Sequence, residues 1–257
     1  MLAETYQSQS QWERAQECYQ ECLTQSTQSN LALYQAKTLS GLAQITSFQG
    51  HKKEAEQMFI QALDLAEFNK ESFILANILK SLGYFYENIS ESELADQCFE
   101  QALVISERNN YFAIKSDVYA HRAFAALKKG DYKLSEELLL KSTVLYKQLQ
   151  DMKGLSTAYY HLGNVSLYEY EAERARYFFH QGKTCAEKIA NQEQLIRIYY
   201  GLALSYELGN QLQEAFEYLQ TSLMIAQEID YKQAIAYNFN QIANILLKQR
   251  KIAEAIG

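Results

Sequence analysis

Residues 82–102 read LGYFYENISESELADQCFEQA, and residues 162–182 read LGNVSLYEYEAERARYFFHQG. Both open on a leucine–glycine pair, and both place a phenylalanine four residues after an alanine, at Ala95 and Phe99 and again at Ala175 and Phe179. Steps of three and four residues trace one face of a helix. Sliding the chain against itself by 40 residues carries the match outward in both directions: Ala15, Ala55, Ala95, Ser135, Ala175, Ala215 and Ala255 share one column. Twelve residues before each stands Ala3, Ala43, Gly83, Ala123, Gly163, Ala203 or Ala243. In a chain where alanine and glycine supply 39 of 257 residues, seven small residues out of seven is a coincidence on the order of one in a million.

Further columns give the unit its shape. Leu2, Leu42, Leu82, Arg122, Leu162, Leu202 and Ile242 precede the first small residue, and Tyr19, Phe59, Phe99, Leu139, Phe179 and Leu219 follow the second. Three residues before the leucine column come Leu39, Leu79, Tyr119, Tyr159, Tyr199 and Phe239. Each unit is therefore two amphipathic helices, with small residues that let axes approach and bulky ones that fill the space beside them. First helices are predicted near 31–48, 71–88, 112–129, 153–169, 193–209 and 232–248, and second helices near 12–27, 52–67, 91–108, 132–149, 172–189 and 212–229. Ser10, Gly50, Ser90, Gly130 and Asn210 share a column at the turn, where Ser10 with Glu13, Ser90 with Glu93 and Asn210 with Gln213 have capping-box or near-capping-box spacing. Asn69, Asn109, Asn110, Asp151, Asn191 and Asp230 fall between units, where turn-tolerant polar residues end one pair and begin the next.

Composition agrees. The chain has no proline and 10 glycines, which removes the punctuation of sandwiches and barrels. A net charge of −7 without a basic run argues against nucleic acid and anionic membrane surfaces as partners. No stretch reaches the length of a membrane span and the start lacks the blocks of a signal peptide, so a cytoplasmic location is expected. Cys18, Cys22, Cys98 and Cys185 lack the spacing of a disulfide framework or zinc knuckle and are expected to be reduced core thiols.

Leu82, Gly83, Tyr86, Ala95, Phe99 and Ala102, echoed by Leu162, Gly163, Ala175 and Phe179, resemble the tetratricopeptide repeat. The 40-residue period and the missing proline resemble its longer-helix subclass, as in kinesin light chain, spindle-orientation adaptors and bacterial quorum-sensing peptide receptors. The resemblance implies an all-α solenoid, a right-handed superhelix of six to seven antiparallel helix pairs over residues 1–257, with first helices lining a concave groove that binds a peptide or protein segment. The repeat around 115–147 departs most, with Arg122, Ala126 and Ser135 at the leucine, tyrosine and alanine positions, and is expected to pack less tightly or to bend. Residues 252–257 enter a second helix without finishing it, which leads to the expectation of a fragment of a longer protein or of end-to-end self-association.

The implied groove columns nominate Lys80, Tyr84, Phe124, Tyr160, Asn164, Arg197, Tyr200, Tyr237, Asn240 and Asn244. Asn164 and Asn244 offer donor and acceptor to a peptide backbone, and the aromatics offer flat apolar area at small entropic cost. Tyr159 and Tyr199 are read as core partners of Tyr160 and Tyr200, and Trp12 as a packing residue. His121 and His161 share a column, and a metal site there would need a further ligand such as Asp117; packing or ligand hydrogen bonding is preferred, with no metal and no cofactor. No phosphate-binding glycine loop, paired-cysteine site or nucleophile elbow occurs, so the chain is expected to be a non-enzymatic binding scaffold. The rival expectation is a sensor module controlling an attached protease-like, kinase or DNA-binding effector.

Overall fold

A computed structural model describes residues 2–8 and 11–256, with the side chains at 4, 7, 8 and 251–256 outside the description. The described residues form helices α1 (Leu2–Ser8), α2 (Trp12–Gln28), α3 (Ala32–Phe48), α4 (Lys52–Phe68), α5 (Ser72–Asn88), α6 (Ser92–Asn109), α7 (Phe112–Lys128), α8 (Tyr132–Leu149), α9 (Met152–Tyr168), α10 (Ala172–Lys188), α11 (Gln192–Leu208), α12 (Leu212–Glu228) and α13 (Lys232–Ile256). The fold is an all-α solenoid of helical hairpins, in which α3, α5, α7, α9, α11 and α13 are first helices.

The connections keep a clock of twenty residues. Positive φ occurs at 30, 50, 70, 90, 110, 130, 150, 170, 190, 210 and 230. At each, the next N–H reaches back five residues to a helix carbonyl, as in Leu31 to Ser26, Asp131 to Ala126 and Tyr231 to Ala226, at 2.8–3.2 Å over the series. This is the left-handed helix stop, in which the backbone itself satisfies the orphan carbonyls.

That stop corrects the capping-box reading. Ser90 (φ 69°) and Asn210 (φ 58°) end the preceding helix in the left-handed region, so their side chains do not cap the following one. The N-caps are Glu91 and Gln211, without a side-chain cap bond; Ser10 lies outside the described residues. Side-chain caps form one position later in the column, where Asp131, Asp151 and Asn191 accept from the N–H of Leu134, Gly154 and Gln194 at 3.0, 2.9 and 3.1 Å.

A second correction concerns the last helix. Instead of stopping near 248 and restarting at 252, α13 runs unbroken through Ile256. Position 250 of the clock is Arg250, which stays within the helix. No second helix folds back across α13 among the described residues, and Ala243 and Phe239 of the repeat columns are exposed.

The chain divides into two compact units, Met1–Val118 and Tyr119–Gly257, with the division inside α7. In unit 1, Phe59 and Phe99 are fully or almost fully buried, and Phe99 lies where a Cβ on Gly83 would come within 2.5 Å of its ring. In unit 2, Phe179 fills the same role twice, since Cβ atoms on Gly163 and Gly201 would come within 2.5 and 2.6 Å of its ring. Small and bulky columns thus meet within the α5–α6 and α9–α10 hairpins and between α10 and α11. Buried serines add cross-ties: Ser156 Oγ donates to the Gly182 carbonyl at 2.9 Å and Ser222 Oγ to that of Ile196 at 3.0 Å. Ser135, Ala126 and Leu139 of the divergent repeat are buried like their counterparts. The four cysteines are free; burial pushes the Cys98 thiol up to about 11 and raises that of Cys185.

Candidate functional site

First-helix residues of neighbouring hairpins meet at an offset of 37. In unit 1, Gln44 Nε2 donates to Ser81 Oγ at 3.1 Å, and Lys80 Nζ pairs with Asp117 Oδ2 at 2.8 Å. Lys80 is thereby engaged within the protein by Asp117. Tyr84 lies against Phe99, with ring centroids 5.5 Å apart.

Unit 2 is arranged differently. Phe124 and Lys128 from α7 and Tyr160, His161 and Asn164 from α9 converge on a cavity of about 330 Å³. A further wall comes from Tyr132 and Tyr168, whose rings stack at 5.3 Å and 4°. The spacing of four residues puts Phe124 with Lys128, and Tyr160 with Asn164, on one face of their helices. Lys128 Nζ lies 4.3 Å from the centroid of the Phe124 ring, and the His161 ring stands 5.2 Å from Phe124 and 5.3 Å from Tyr160. Three nominated residues, Phe124, Tyr160 and Asn164, are thus brought together.

His161 is the residue of this cluster whose role the sequence underrated. Its Nδ1 is shut off from solvent and has no hydrogen-bond partner. Burial, then the charges of His121 and Arg197, push its pKa down to about 4, so the imidazole is neutral at pH 7. His121, one repeat earlier in the column, is exposed. Among the described residues no group of three or more His, Cys, Asp or Glu side chains is placed to hold a metal ion. Lys128 and Tyr168 were also missed; both lie one turn beyond the nominated Phe124 and Asn164, a signal the groove columns stop short of.

The remaining nominated residues do not join the cavity. Arg197 is exposed on α11, close enough for its charge to act on His161. Tyr200 is partly buried and its hydroxyl is raised by burial first, then by Glu207. Tyr237, Asn240 and Asn244 lie exposed along α13, where the Asn244 amide lies 3.5 Å from Gln241 Oε1. Tyr159 is buried, as its core role requires, while Tyr199 is partly buried and stacks on Tyr218 at 6.1 Å. Trp12 packs on Phe48 with centroids 5.0 Å apart. No helix among the described residues is long and apolar enough to cross a membrane.

Models of the tetratricopeptide repeat match residues 1–67 and residues 196–229. No curated protein matches the chain by sequence. Among solved structures, BtubC (BKLC) from P. vanneervenii is similar at 15% identity and a TM-score of 0.76, over 85% of this chain and 92% of that one. A STAND signal-transduction ATPase with a tetratricopeptide repeat sensor, from Pyrococcus horikoshii, is similar at 17% identity and a TM-score of 0.76; the match takes in 98% of this chain but 39% of that one. Rap protein complexed with Competence and Sporulation Factor is similar at 14% identity and a TM-score of 0.70, over 98% of this chain and 74% of that one. At these identities the likeness is one of fold. Because the 40-residue columns run without a gap between the two stretches that match the tetratricopeptide repeat, and the hairpins share the fold of these solved structures, the comparisons support a helical repeat protein of the tetratricopeptide type.

Proposed function

We propose that the chain is a protein- or peptide-binding module without catalytic function of its own, holding a partner segment along the first-helix face of residues 119–257. The observation that supports this reading is a set of polar groups left open on that face. The side chains of Asn164, Lys128 and Arg197 make no hydrogen bond or ion pair among the described residues, Lys128 and Arg197 being exposed to solvent, and His161 Nδ1 is buried without a partner. Buried polar groups that serve the fold are satisfied within it, as the largely covered Lys80 is by Asp117, whereas the buried His161 Nδ1 is not. Exposed Lys128 and Arg197 with Asn164 give a partner segment polar contacts, and the rings of Phe124, Tyr160 and Tyr200 give it apolar anchorage.

The test is capture with the chain as bait and mapping of the bound segment. The variant carrying Tyr160→Ala, Tyr200→Ala and Asn164→Ala should lose capture while its circular dichroism stays helical. Unchanged affinity would remove this face. A second reading, a sensor array governing an attached effector, draws support from the Pyrococcus horikoshii protein, in which the matching array is 39% of a longer chain and is described as a sensor. An effector sequence joined to this array in its natural protein would favour that reading.

A further inference from the structure

Open valences of one electrostatic kind converge on the cavity between α7 and α9. Lys128 carries a cation with no carboxylate partner among the described residues, Asn164 has its amide open, and His161 has its buried Nδ1 unused. No carboxylate lines the cavity, and the charged neighbours that act on His161, His121 and Arg197, both depress its protonation. Aromatic walls by themselves would favour a cation. Here that place is taken, because the Lys128 ammonium already lies over the Phe124 ring, and a second cation would meet it.

We propose that this cavity is a subsite for an acidic side chain, aspartate or glutamate, of the bound segment, a proposal that rests on the reading of the first-helix face as the partner-binding surface. The Lys128 ammonium pairs with the carboxylate and the Asn164 amide donates to its oxygens, joined by the Nδ1–H tautomer of His161 once the ring, whose Nδ1 is closed to solvent in the free chain, turns into the cavity. The methylene stem lies on the rings of Phe124 and Tyr160. A neutral imidazole suits the task, since it donates a hydrogen bond without adding a second charge to be desolvated. The volume of about 330 Å³ holds such a side chain together with part of its backbone.

Imidazole and side-chain amide NMR signals of the 257-residue chain, titrated with N-acetyl-glutamic acid N-methylamide, read the subsite directly. In parallel the glutamine analogue and inorganic phosphate are used at equal concentration and ionic strength. The glutamate probe should move the His161 and Asn164 signals and raise the His161 titration midpoint by about one pH unit. Lys128→Ala should weaken the probe roughly tenfold and Lys128→Arg should restore it. Equal responses to the glutamine analogue, no movement of His161, or the same response to phosphate would overturn the acidic-side-chain assignment. With a captured segment in hand, equally tight binding after its acidic residues are changed to amides would overturn the subsite and leave the face standing, whereas indifference to the Tyr160, Tyr200 and Asn164 triple variant would remove the face itself.

Discussion

At the scale of single residues, the repeat columns explain most side chains and single out those that serve something else. Ser135 stands where other repeats have alanine, and it is fully buried with its hydroxyl unpartnered. Removing a buried hydroxyl that bonds to nothing recovers its desolvation cost, so Ser135→Ala should raise the unfolding free energy by about 1 kcal/mol, measured by urea denaturation. A loss of stability would show that the hydroxyl is used. His161 makes a pH prediction. Its pKa falls from an ordinary 6.5 unfolded to about 4 folded. Above pH 6.5 neither state is protonated; below it the unfolded chain takes up a proton that the folded one refuses, so stability falls between about pH 6.5 and 4. Between pH 7 and 4.5 the wild type should lose about 2 kcal/mol more than His161→Gln, and equal losses would place the imidazole in water.

At the scale of elements, the twenty-residue clock is a backbone property more than a side-chain one. Gly50 and Gly130 mark it openly, but Lys70, Gln150, Tyr170 and Ala190 hold the same left-handed conformation with nothing in their chemistry to announce it. Periodicity therefore located the helices to within a residue or so at most ends, while the turn residues were misread as N-caps because serine and asparagine suit both roles. At Lys70, Gln150, Tyr170 and Ala190 the backbone bond from the next N–H to the carbonyl five residues back accompanies the positive φ, whereas Asn30, Asn110, Asn210 and Asp230 also carry a local preference for it. Ala190→Gly should accordingly stabilise the α10–α11 turn by about 1 kcal/mol, while Gly50→Ala should cost a similar amount in the α3–α4 turn. Thermal denaturation checks both, and the same sign for the two changes would refute the left-handed stop.

At the scale of the molecule, one repeat unit performs two tasks. Its small and bulky columns bury one another, and for that reason the solenoid was legible from the sequence: Ala55, Phe59, Gly163 and Phe179 each need only a partner at a fixed offset. The binding face was only partly legible, because its residues are defined by what they fail to contact. Lys80 and Lys128 are both first-helix lysines, yet Asp117 takes the first and nothing takes the second. Their columns differ, Lys80 standing three residues before the small residue of its helix and Lys128 five after it, but the engagement of the first by Asp117 shows in the three-dimensional pairing. The central claim is that the second unit presents its first helices as the receiving wall. A crystal structure of the chain with its captured segment tests it most directly. The segment should lie against α9 and α11 with an acidic residue beside Lys128, His161 and Asn164; a segment seated on the second helices α8, α10 and α12 would contradict the claim.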